Sequence, residues 1–151
     1  MTAAPPAARL LRVMAEQGLV DAVKAIVSSA RAGDRSAAYV GYKALFAGEA
    51  FRRYPPNDQR QALRLMIHAK GVPNPPTPEM VEAHRAAIEP LTELVSNLGD
   101  PADYEMLGMC HVAIGNEQGA GVVFRAALAI EREHNAQSDL CGALMKRVSM
   151  L

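Results

Sequence analysis

Tryptophan is absent from this 151-residue chain and aromatic residues make up only 5% of it, so its core is not built from large rings. Cysteine is nearly absent as well. Cys110 and Cys141 show no CxxC spacing, which argues against a disulfide scaffold and for a reduced, cytoplasmic protein. No apolar run approaches the ~20 residues that a membrane span needs. The start, Met1-Thr2-Ala3-Ala4-Pro5-Pro6, lacks the basic and apolar regions of a signal peptide. No segment alternates apolar and polar residues with period two, so no half-buried sheet is expected. Net charge is zero and no aromatic residues are interleaved with the arginines, so nucleic acid is not an expected partner, and neither is a membrane. Catalytic and metal signatures are also missing. His68, His84, His111 and His134 form no HxxxH or HExxH pattern. Glycines 115–121 are not followed by GK[ST], and the adjacent Cys110 and His111 point about 100° apart on a helix. Neither a metal nor a cofactor is expected.

What is present is helix after helix. Half the residues are hydrophobic, mostly Ala, Leu, Val and Met, which helices accept readily. Leu10, Leu11 and Met14 recur at helical spacing up to Gly18, and Leu19, Val20, Val23, Ile26 and Val27 form the next stripe, up to residues 32–34. A third helix over 35–53 carries Tyr39, Tyr42, Phe46 and Ala50 and stops at Pro55-Pro56. Asn57 or Asp58 caps a fourth, with Leu63, Met66 and Ile67 at i, i+3, i+4. Residues 71–76, GVPNPP, read as a loop. Thr77-Pro78-Glu79 starts a helix with stripe Met80, His84, Ala87, Ile88, Leu91, Leu94, Val95, and Pro90 predicts a kink in it or two abutting helices. A last helix within 135–151 has the face Leu140, Cys141, Leu144, Met145, Val148. The whole, residues 1–151, reads as one all-α domain of about seven or eight helices.

Residues 101–134 have a more specific pattern. Tyr104, Leu107, Gly108, His111, Gly115, Ala120, Phe124 and Ala127 fall on the spacing by which two antiparallel helices interlock: small residues at the close approach, larger ones beside them, and a glycine at the turn. The segment resembles one tetratricopeptide repeat, with Arg132 in place of the family's proline and His111 in place of a frequent aromatic. Elsewhere the likeness is loose. Leu10, Leu11, Met14, Val27 and Ala30 fit the template, as do Val40, Gly41 and Ala44, but these placements and the hairpin at Pro101 share no single register. The resemblance implies a right-handed array of antiparallel hairpins, one regular and the rest divergent, with the last helix as a cap. It further implies a concave face lined by Ala102, Glu105, Met106, Met109 and Ala113, without the Lys, Arg or Asn that grips a C-terminal carboxylate. Two methionines there suit an apolar helix or extended segment; the alternative is that neighbouring helices cover them.

Charge is unevenly distributed. Residues 31–70 hold eight basic residues against three acids, and residues 71–110 hold seven acids against Arg85 alone. Either the two halves steer a charged partner or a second copy, or adjacent hairpins neutralise one another. Arg52, Arg53, Arg60 and Arg64 are the candidates for a basic face that docks phosphate or an acidic peptide. The expected function is a non-enzymatic adaptor, client chaperone or assembly factor that binds a protein or peptide, with self-association possible. The alternatives are a regulatory or immunity-type subunit using its charged face, and a helical enzyme assembled from residues such as His68, Glu82 and His84. In an apolar stripe, however, His84 reads first as a core histidine.

Overall fold

Local signals set most helix ends. In a computed structural model that describes residues 16–31, 35–67, 77–98 and 100–151, eight helices and no strand occur among the described residues: α1 Leu19–Arg31, α2 Arg35–Ala47, α3 Glu49–Arg52, α4 Pro56–Ile67, α5 Pro78–Leu98, α6 Pro101–Ala113, α7 Glu117–Asn135 and α8 Asp139–Ser149. The expected helix containing Leu10, Leu11 and Met14, the 71–76 loop and His68 lie outside the described residues. Thr77 Oγ1 accepts from the Met80 amide, Asp100 from Ala102, Asn116 from Gly119 and Ser138 from Cys141, each satisfying an amide of a first helical turn. Gly115, at φ +84°, makes the turn between α6 and α7 in a region that side chains disfavour. None of the described helices is long and apolar enough to cross a membrane.

Three expectations are corrected. The helix predicted over 35–53 breaks at Gly48, whose extended backbone separates α2 from the short α3. The break lets Phe51 turn inward, where it is fully buried edge-on against Phe46, ring centroids 5.2 Å apart. Pro90 does not divide its helix in two: α5 continues through it, with Ala87 and Leu91 fully buried on either side of the proline. And α4 begins on Pro56 at its first position, so neither Asn57 nor Asp58 is the residue before the helix.

Packing departs from a simple stack of hairpins. Helix α1 lies on α2, α2 on α5, and α1 on α4, while α4 meets α5 more sparingly; these four surround one core. The main partner of α2 is therefore α5 and not the next long helix in sequence. From this ring the chain continues outward: α6 packs on α5 and α4, α7 on α6, and α8 on α7. A smaller core, Ala120, Phe124, Ala127, Leu128, Cys141 and Leu144, lies between α7 and α8, and Tyr104 and Met109 of α6 touch both cores.

Candidate functional site

Residues of the two charged halves pair with one another, mostly at the surface. Arg52 on α3 reaches Glu89 at 2.8 Å and Glu93 at 3.4 Å on α5, and Lys43 on α2 lies 3.6 Å from Glu82, which also takes Arg85 at 3.4 Å. Arg60 on α4 donates from Nε and Nη2 to the two carboxylate oxygens of Asp103, each at 2.7 Å, and from Nη1 to Asn57 at 3.0 Å. Lys43, Arg52 and Arg60 of the basic run are thus each paired with acids of the acidic run. Arg52 and Arg60 are engaged with acids, whereas Arg53 and Arg64 are exposed, so the four arginines do not present one open basic face.

The α6 face separates its five candidates. Met106 is a core residue, 2% exposed, and does not line a groove; it belongs to the larger core, where α6 packs on α5 and α4. Ala102, Glu105, Met109 and Ala113 remain half-buried, at the i, i+3, i+7, i+11 spacing of one helical face. Glu105 accepts from Arg147 Nε of α8 at 3.0 Å, and the guanidinium of Arg147 lies 5.7 Å from the centre of the Phe124 ring. Val112, 47% exposed, extends the same face, and sequence reasoning missed it. Its i+3 spacing from Met109 was the available signal.

Gly108, Ala120, Phe124 and Ala127 lie buried where α6 meets α7. A methyl group on Gly108 would run into the Phe124 ring, within 2.7 Å of Cδ1 and Cζ, and Ala120, Phe124 and Ala127 are buried beneath it. Leu107 belongs to the larger core, and Tyr104 joins the two cores. His111, half-buried, lies at the turn: its Nδ1 is 3.2 Å from Asn116 Nδ2, in the group that caps α7, and burial lowers its pKa. On α8 the face is narrower than expected. Cys141 and Leu144 point inward, but Met145, one residue and about 100° further round, is 49% exposed.

The remaining titratable groups are separated by packing. His84 is buried; its Nδ1 donates to the Met80 carbonyl at 2.8 Å, its ring lies 6.1 Å from Tyr39, and burial lowers its pKa despite that hydrogen bond. Burial, helped by Tyr39, raises the pKa of Tyr42, and burial pushes the Cys110 thiol up to about 12. Glu82, two residues from His84, is turned instead to Lys43 and Arg85. No group of three or more metal-ligating side chains occurs among the described residues. No family model matches the chain, and neither the curated proteins nor the solved structures contain a match to it.

Proposed function

We propose that this protein is a non-enzymatic interaction module, an adaptor or client chaperone, that holds an apolar segment of another protein along α6. The observation that carries this reading is the half-open stripe Ala102, Glu105, Met109, Val112 and Ala113, which runs the length of one helix. Its one acid is already paired with Arg147, so an apolar ligand meets little unpaired charge. Met109 adds an adaptable thioether at the middle of the stripe. In this reading α6, α7 and α8 act as the regular part of a tetratricopeptide-like array, with the four-helix ring as its base. Pairing of Lys43, Arg52 and Arg60 with acids of α5 and α6 favours this reading over a charged-face partner.

The test compares wild type with Val112→Glu in a pull-down from the source lysate and in binding of a hydrophobic dye. Val112→Glu alters an exposed position and is expected to fold, retain its helical circular dichroism and lose both signals. Met106→Glu serves as the control for core damage and is expected to unfold. A partner retained by folded Val112→Glu would move the site away from α6.

A further inference from the structure

The outward surface of α8 has a chemistry that the fold does not use. Asp139, Gly142, Ala143, Met145, Lys146, Ser149 and Met150 are all exposed, and no described element lies over them. Met145 is 49% and Met150 76% exposed, a large apolar area for a short helix. Gly142 is open: a methyl group built there meets nothing within 4 Å. Asp139 and Lys146 sit two turns apart on this face, and neither has an ion-pair partner among the described residues.

These features are complementary to their own inverse. Reversing the helix about a point between Gly142 and Ala143 carries position 139 onto 146 and position 142 onto 143. We propose that α8 is a self-association surface on which a second copy of this chain docks its own α8, antiparallel, about a two-fold axis at Gly142 and Ala143. Asp139 of each copy then faces Lys146 of the other, giving two equivalent ion pairs as an isologous interface requires. The small residues at the axis allow close approach of the two helices, and Met145 and Met150 cover the flanks. A contact centred on one helix falls below the ~1,200 Å² of total burial found in standard stable interfaces, so the dimer is concentration-dependent. The α6 stripe is a different surface, and the pairing stands independently of the proposed function.

Favourable helix-dipole placement alone would also put an acid in the first turn of α8 and a lysine in the last. The two explanations make opposite predictions for a charge swap. Sedimentation velocity across the micromolar range is expected to show wild type passing from monomer to dimer. Lys146→Asp should weaken dimer affinity by about tenfold or more. The double swap Asp139→Lys/Lys146→Asp should restore the dimer, although it opposes the helix dipole at both ends. Gly142→Leu places its side chain on an open, exposed surface of the monomer, so it should keep its circular dichroism and melt no lower than wild type in dilute solution while abolishing the dimer. A wild type that stays monomeric throughout, a dimer that survives Gly142→Leu, or a swap weaker than the single reversal would each overturn the pairing.

Discussion

Arg60 and Asp103, 43 residues apart in sequence, form a two-pronged ion pair in which both carboxylate oxygens accept at 2.7 Å and the carboxylate is fully buried. The pair fastens α4, a member of the four-helix ring, to the first turn of α6, which carries the proposed docking stripe. It also raises the pKa of Arg60, chiefly through the hydrogen bonds to Asp103. Removing the guanidinium leaves a buried carboxylate without its donors. Arg60→Ala is therefore expected to lower stability by about 3 kcal/mol, and Arg60→Lys to recover only part of it because an ammonium lacks the planar fork. The double variant Arg60→Met/Asp103→Leu should lose less than the two single changes together. Urea unfolding of wild type, Arg60→Ala, Arg60→Lys, the double variant and its two single components, Arg60→Met and Asp103→Leu, measures this.

Two glycines in the same three-helix layer should respond with opposite signs to the same substitution. Gly108→Ala forces a methyl group into the Phe124 ring, an overpacking of about 1–3 kcal/mol that outweighs the gain in helix propensity. Gly142→Ala meets open space and should stabilise α8 by about 0.5–1 kcal/mol. Thermal unfolding in dilute solution distinguishes them: the melting temperature falls for the first and rises for the second.

This contrast also shows what the sequence could reveal. The cap at Thr77, the turn at Gly115 and the Gly108–Phe124 contact depend on residues a few positions apart or on a hairpin whose register its own turn fixes. They were legible for that reason. Met106 and Met109 differ by less than one helical turn, and which of them is covered depends on the neighbouring helices, so spacing alone left groove and core open for both. The break at Gly48 is decided by where Phe51 finds a cavity beside Phe46, a tertiary cause with only a glycine to signal it. The placement of α2 against α5 was equally hidden, because the partners of an apolar stripe are not encoded in its period.

Cys110 and Cys141 are both buried free thiols, and Cys110 is held in its protonated form by a burial that pushes its pKa up to about 12. Thiolate, the reactive form, is therefore scarce at neutral pH and shielded where it exists. A chromogenic disulfide reagent at about pH 8 should react with the native chain only as fast as the structure opens, and with both cysteines at once in denaturant. Rapid labelling of either thiol in the native protein would contradict this packing.

Acid should destabilise the protein through His84. The imidazole is buried in the ring core with its Nδ1 proton on the Met80 carbonyl, and burial lowers its pKa from the ordinary 6.5. Below pH 6.5 the unfolded chain binds a proton that the native chain refuses, so stability falls as pH drops through 6.5 and levels off only below the native pKa. His111 shifts in the same direction, also by burial, but is half-exposed and contributes less. The melting temperature should therefore decline between about pH 7.5 and pH 5. His84→Leu removes the titrating group, and the Met80 carbonyl keeps the helix's own amide as donor. Its pH profile should be flatter than that of wild type, with the residual slope assigned to His111 by the His111→Gln variant. An unchanged slope in His84→Leu would place the acid sensitivity elsewhere in the fold.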